Sequence, residues 1–378
     1  MQYRRFGRVG WQVSALGFGC MRLPTKGTYE VIDEELAIAM LRYAVDNGVN
    51  YIDTAYGYHG GNSEKVVGRA LEGGYREKVY LATKLPHWHV QNLDDCSRIL
   101  NEQLERLRTD HLDVYLLHSL SKGAWEKLRQ MNIFRWAEDA MAKGLFRVLG
   151  FSFHDTYEVF QEIVDAYDNW GMCQIQYNIL NENVQAGTKG LQYAASKGLA
   201  VVIMEPLLGG RLANPPSAVR QLLEAAPVKR SPAEWALQWL WNKPEVSVVL
   251  SGMSTMEQVQ ENIRSASRSG VGTMSLEELE LISKVQRLYE QLHPIPCTGC
   301  EYCMPCPNGV NIPRIFAIYN EGVVYEEMDR ARERYNRLPE GERASECIAC
   351  RVCETKCPQH IEISEWMARL AEELAPSR

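Results

Sequence analysis

The sequence predicts an α/β chain: a barrel of eight parallel β/α units over residues 1–290, then a small all-helical domain over 291–378. Three observations predict it. Eight short apolar runs recur through the first 290 residues, each followed by a longer stretch with apolar residues at helical spacing. No G-x-G-x-x-G follows any of these runs, which argues against an open dinucleotide-binding sheet. Past Pro294 and Pro296 the composition changes, with eight of the eleven cysteines falling between residues 297 and 357.

In chain order, residues 1–12, with Gly7 and Gly10, read as a small hairpin ahead of the first barrel strand. The strands are expected within 13–19, 50–55, 79–85, 113–118, 148–153, 173–178, 200–205 and 246–253. Helical spacing marks segments such as 34–47, 64–72, 93–107, 125–143 and 157–167. Eight alternating repeats in under 300 residues fit a (β/α)8, or TIM, barrel. Helices are expected over 325–337 and 363–374 in the second domain, which is small enough that bound metal would supplement a thin core.

Composition excludes some functions. A hydrophobic content of 46% and a charged content of 24% suit a globular chain with a large core. The formal net charge of -7, without a long basic run, argues against nucleic acid as a partner. Arg330, Arg332, Arg334 and Arg337, interleaved with Asp329 and Glu333, read first as a solvated helix face, with a docking surface for an acidic redox partner protein as the alternative. No run of eighteen apolar residues predicts a membrane span. Nothing at the N-terminus resembles a signal peptide, so the expected location is the reducing cytoplasm.

The cysteines form two clusters. The first is Cys297-x2-Cys300-x2-Cys303-x2-Cys306-Pro307, and the second is Cys347-x2-Cys350-x2-Cys353-x3-Cys357-Pro358. Three thiolates at two-residue spacing and a fourth before proline match the run that holds [4Fe-4S] clusters in ferredoxins. Zinc sites usually separate Cys-x2-Cys pairs by a longer arm, and disulfide frameworks belong to small secreted chains. In two-cluster ferredoxins the fourth cysteine of each run serves the other cluster. Cys297, Cys300, Cys303 and Cys357 would then hold one cubane, and Cys347, Cys350, Cys353 and Cys306 the other. The first cluster departs from the usual spacing by having two residues, not three, before Cys306.

In a barrel, chemistry gathers at the C-terminal ends of the strands. Asp53 with Tyr58 just beyond, Lys84, and His118 close three consecutive runs, and neighbouring strands lie only about 5 Å apart. Each alone has an ordinary structural explanation. Together they make a tuned general acid: a phenol with a pKa near 10, an ammonium that lowers it, a carboxylate that holds the ammonium, and a histidine that orients a carbonyl.

Asp53-Thr54-Ala55-x-x-Tyr58, Thr83-Lys84-Leu85 and Asp113-x-Tyr115-Leu116-Leu117-His118 resemble the aldo-keto reductase family. So do Gly150-Phe151-Ser152, Gln174-Ile175-Gln176-Tyr177-Asn178 and Ser251-Gly252-Met253 with Glu261-Asn262. The resemblance runs over nearly all of residues 1–290. It implies hydride transfer between a nicotinamide cofactor and an aldehyde, ketone or alcohol, with Asp53, Tyr58, Lys84 and His118 as the catalytic tetrad. Ser152 and Gln174 would hold the nicotinamide carboxamide, and Gly252, Ser254, Glu261 and Asn262 would face the adenosine end. Met204 stands where the family usually stacks a tyrosine on the nicotinamide. Gly252 and Gln258 replace the basic residues that clamp a 2′-phosphate, which leaves both NADP(H) and NAD(H) open. The cysteine module resembles an iron–sulfur branch of the same family. Its two [4Fe-4S] clusters would relay electrons to a redox partner, or only pin the small domain. A third reading makes the chain an electron-transfer subunit with a vestigial barrel. Trp88 and His87, and Trp125, are candidates for the substrate pocket, Trp125 being as good a core residue.

Overall fold

The computed structural model describes residues 1–297 and 299–375, and the chain divides into two compact units. The first comprises Met1–Ala213 with Arg230–Leu276. The second comprises Asn214–Lys229 with the described residues from Glu277 onward.

In the first unit, β1 (Tyr3–Arg5) and β2 (Gln12–Ser14) form an antiparallel hairpin. The barrel follows: β3 (Leu16–Gly19), β4 (Tyr51–Asp53), β5 (Tyr80–Leu85), β6 (Leu112–Leu120), β7 (Phe146–Phe153), β8 (Met172–Gln176), β9 (Ala200–Met204) and β10 (Val246–Ser251). All eight strands are parallel and pair in chain order, and β10 closes on β3 through Val249 opposite Leu16. Each expected apolar run overlaps one of them, although β6, β7 and β8 begin one or two residues earlier and β6 runs on to Leu120. Burial on both faces explains why they read as continuous apolar stretches rather than alternating ones.

Inward side chains fill the barrel. Tyr51, Ala82, Val114, Leu116, Met172, Val202 and Val248 pack with Phe6 and Val13 of the hairpin. The hairpin therefore plugs the N-terminal end, where packing serves stability, and leaves chemistry to the other end. Gly7 makes the plug fit: it has φ +46°, and a Cβ there would lie 2.4 Å from the Ala200 nitrogen.

The second unit has no strand among its described residues. Its helices include Leu276–Gln291, Ile312–Val324, Met328–Asn336 and Ile363–Glu373. Ile295, Val310, Ile315, Phe316, Tyr319, Met367 and Leu370 form its core, with Cys297, Cys303, Cys306, Cys347 and Cys357 packed against it. The helix expected over 325–337 begins at Met328, because Glu326 takes a left-handed φ of 56° and breaks the chain there. Ile312–Val324 is a helix that sequence reasoning did not predict. The two helices approach closely at Gly322, whose added Cβ would meet Ala331 Cβ at 2.6 Å. The arginines of Met328–Asn336 pair with local acids, Arg330 with Glu327 at 3.4 Å and Arg332 with Asp329 at 2.8 Å. Arg330 and Arg337 are exposed, as a solvated face requires, whereas Arg332 and Arg334 are half-buried and tie the helix to the Glu373 carbonyl and to Glu321. No helix among the described residues is long and apolar enough to cross a membrane.

Candidate active site and cysteine sites

Asp53 ends β4, Lys84 lies near the end of β5, and His118 sits on β6, so the parallel register brings three side chains to one end of the barrel. Tyr58 opens the short turn Tyr58–Gly61 beyond β4. Lys84 is 1% exposed, and its Nζ donates to Asp53 Oδ1 at 2.6 Å and to the Thr54 carbonyl at 2.7 Å. The same ammonium lies 5.1 Å from the Tyr58 ring centre and acts electrostatically on its phenol. The Tyr58 and His118 rings meet edge to face at 6.2 Å.

Electrostatics follow from this geometry. Burial pushes the Lys84 ammonium toward its neutral form, but Asp53 and Tyr58 outweigh it and the net direction is up. Burial raises the Asp53 carboxyl against the pull of Lys84. These two act as one coupled unit. A 2.6 Å contact in a dry site favours the charged pair, so Lys84 stays an ammonium. Tyr58 differs from the sequence expectation. Lys84 does lower it, but burial raises it more, and the phenol is pushed up and stays protonated. Burial, then Lys84, His154 and His87, hold His118 well below the usual imidazole range, so it is neutral. Its Nδ1 and Asp53 Oδ2 are buried without partners among the described residues.

Sequence reasoning missed the support behind Lys84. Gln103 is buried, and its Nε2 donates to the Lys84 carbonyl at 3.1 Å, to Thr83 at 3.1 Å and to Glu64 at 2.7 Å. The Tyr115 hydroxyl donates to Gln103 Oε1 at 2.7 Å. Partners this far apart in the chain leave no local signal.

Ser152 and Gln174 are register partners on β7 and β8. The Ser152 hydroxyl accepts from the Ser119 N–H at 2.7 Å. Gln174 Nε2 lies 3.7 Å from Met204 Sδ, while its Oε1 is buried without a partner. An unpaired buried amide oxygen fits the N–H of a carboxamide. Gly252 follows β10 against Arg22, and a Cβ there would meet Arg22 Cγ at 2.8 Å. Arg22, which the sequence did not single out, thus brings a basic side chain beside the position that lacks one. Ser254 donates to the Arg22 carbonyl at 2.8 Å, and its N–H is taken by Gln258. Asn262 is buried and donates to Ser251 at 3.0 Å, while Glu261 accepts from Ser231. Trp88 is 50% exposed with its ring 5.1 Å from His118. Trp125 is fully buried and bonds Glu162, so it belongs to the core.

In the second unit the cysteines gather into two sets. Cys297, Cys300, Cys303 and Cys357 line one cavity, with Ile312, Phe316 and Ile361. Cys347, Cys350, Cys353 and Cys306 line another, with Val310, Ile348 and Met367. These are the two sets expected from the crossing of the fourth cysteines. Gly299 and Glu301 in one loop, and Ala349 and Arg351 in the other, have left-handed φ. Such alternation turns successive N–H groups inward to make an anion-binding nest of the kind found at iron–sulfur sites. Four thiols around a concave, apolar-walled cavity fit a cubane. Cys20, Cys96 and Cys173 are buried elsewhere, and burial raises their thiols, that of Cys96 to about 12.

Residues 15–283 match the Aldo/keto reductase family. The chain belongs to that family. Residues 296–362 match the 4Fe-4S dicluster domain, so this aldo/keto reductase carries an iron–sulfur module at its C-terminal side. Among curated relatives, L-galactose dehydrogenase of Arabidopsis thaliana is 27% identical, covering 75% of this chain and 94% of that one. The 6-dehydroglucose reductase of Novosphingobium aromaticivorans is 28% identical, covering 68% and 88%. An aldo-keto reductase of Klebsiella pneumoniae, solved with NADP and acetate, superposes with a TM-score of 0.62 at 26% identity, covering 76% of this chain and 96% of that one. This aldo/keto reductase is thus an oxidoreductase of the NAD(P)-dependent type.

Proposed function

We propose that the barrel transfers hydride between NADP(H) or NAD(H) and a small carbonyl or alcohol, with Tyr58 as general acid. We also propose that the cysteines hold two [4Fe-4S] clusters that relay single electrons. The carrying observation is the buried Asp53–Lys84 pair, 2.6 Å apart, with its ammonium 5.1 Å from the Tyr58 ring centre. A nicotinamide, when bound, supplies the hydride.

The protein's own groups do the rest. Lys84, kept charged by Asp53, holds the Tyr58 proton donor and stabilises phenolate once that proton has left. Neutral His118 donates one hydrogen bond to the carbonyl oxygen and orients it. The Tyr58 hydroxyl then gives its proton to the alkoxide, and the reverse direction returns it. Ser152 and the free Gln174 Oε1 would hold the carboxamide, Met204 would cover the ring, and the loop of Gly252, Ser254, Glu261 and Asn262 would meet the adenosine end. The Klebsiella complex supports NADP, and Arg22 beside Gly252 supplies a cation suited to phosphate. The names of the sugar-active relatives favour a hydroxylated carbonyl substrate.

We place the functional boundary near residue 290, between the two family matches. Eight cluster thiolates need a reducing compartment, so we place the protein in the cytoplasm. The test is Tyr58→Phe, assayed anaerobically for NADPH-dependent aldehyde reduction. Turnover should fall by roughly 10²–10⁴-fold, while iron content stays unchanged. Unaltered turnover would overturn the assignment.

A further inference from the structure

The two cysteine sites come from an internal repeat. Cys297-x2-Cys300-x2-Cys303, then Cys306-Pro307-x2-Val310-x-Ile312, parallels Cys347-x2-Cys350-x2-Cys353, then Cys357-Pro358-x2-Ile361-x-Ile363. The backbone repeats as well. The second and fourth residues after each first cysteine are left-handed: Gly299 at 68° and Glu301 at 60°, Ala349 at 53° and Arg351 at 58°. Each repeat ends by starting a helix, at Ile312 and at Ile363. Those two isoleucines line both cavities, so the sites share an apolar wall.

Against this symmetry one position inverts its charge. Glu301 and Arg351 occupy the same place in the two loops, and each lines its own cavity. Other levers are nearly matched. Both sites have four cysteines, Cys300 and Cys350 are each the exposed member, and the rest are half-buried or buried. Nearby charges narrow the contrast without reversing it. Glu354 stands 4.0 Å from Arg351 where the first repeat has Met304, but it also accepts from the Ser364 N–H at 2.8 Å and from its hydroxyl at 2.5 Å. Lys356 directly precedes Cys357 of the first site, so its positive charge also narrows the contrast. The first site therefore faces a carboxylate, and the second faces a guanidinium with a partly offset acid.

A cubane held by four thiolates is anionic, and reduction by one electron adds a further negative charge. A nearby cation favours that state and a nearby carboxylate opposes it. On the reading that these cysteines hold [4Fe-4S] clusters, we propose that the clusters have unequal reduction potentials ordered by Arg351 and Glu301. The site of Cys347, Cys350, Cys353 and Cys306 is reduced first. The pair then works as a directional step, with an electron resting on the Arg351 side.

The test is an anaerobic redox titration of the full iron-loaded chain, with dithionite and mediators, followed by electron paramagnetic resonance. Two successive one-electron waves are expected. Arg351→Gln should move the first wave to lower potential and leave the second in place. Glu301→Gln should move the second wave up. Arg351→Lys should behave as the native protein. Should a variant load iron poorly, the native protein supplies the same test: both side chains are exposed, so rising salt should draw the waves together. Waves that stay fixed at full iron content, or an Arg351→Gln shift in the lower wave, would refute the charge ordering. Absence of bound iron would instead remove the cluster reading beneath it.

Discussion

The barrel site and the cysteine sites solve the same problem, placing reactive groups, in opposite ways. At the end of the barrel, the groups come from three strands and a loop, and the protein holds them with its own bonds. Lys84 alone donates to Asp53 and Thr54, and Gln103 ties its carbonyl to Thr83 and Glu64. In the second unit, the donors come from two short loops without strands, and among the described residues no side-chain network like that of Lys84 holds their sulfurs. A site built from internal bonds is complete before its ligand arrives. A site built from thiols on loops is completed by what it binds.

Cutting the barrel's own bonds should have the largest effect. Lys84→Met removes the ammonium from Tyr58 and leaves Asp53 buried without its ion pair. Carbonyl reduction should fall by roughly 10²–10⁴-fold, and stability by about 3–5 kcal/mol, read by steady-state kinetics and urea unfolding. A loss of activity without a loss of stability would show that the pair is less dry than its 2.6 Å contact and burial indicate.

Removing iron should sharpen the contrast from the other side. Anaerobic chelation is expected to raise hydrogen exchange across 297–306 and 347–357 and to leave Tyr80–Leu85 protected. Equal loosening of both regions would mean that the barrel, too, depends on metal. Within the barrel, Trp125→Ala should cost about 3–5 kcal/mol, since it empties a buried site. Trp88→Ala should change stability by less than about 0.5 kcal/mol and raise KM instead, because half of Trp88 is already in solvent beside His118.

The smallest effect is in pH. Burial, Lys84, His154 and His87 hold folded His118 below its ordinary value of about 6.5. In the window below 6.5 the unfolded chain takes up a proton that the folded imidazole resists, so stability is lost as pH falls and is unaffected above it. His118→Leu should flatten that acid limb of the melting curve. An unchanged slope would assign acid sensitivity to other groups.

Much of this was legible in the residues. The apolar runs located all eight barrel strands, because strands covered on both faces must be apolar throughout. Asp53, Lys84 and His118 stood out because each closes such a run. The helix Ile312–Val324 was not legible: Pro313 reads locally as a break, yet it lies in the first turn, where proline is tolerated.

The sequence by itself determined the repeat of β/α units, the strand ends that carry Asp53, Lys84 and His118, and the two cysteine runs with their terminal Cys-Pro. All of these depend on local order and spacing. Only the tertiary structure decided that Gln103 braces Lys84, that Arg22 stands beside Gly252, and that burial outweighs Lys84 in keeping Tyr58 protonated. Those outcomes depend on the dielectric and on contacts between residues far apart in the chain, and neither is written in any local pattern.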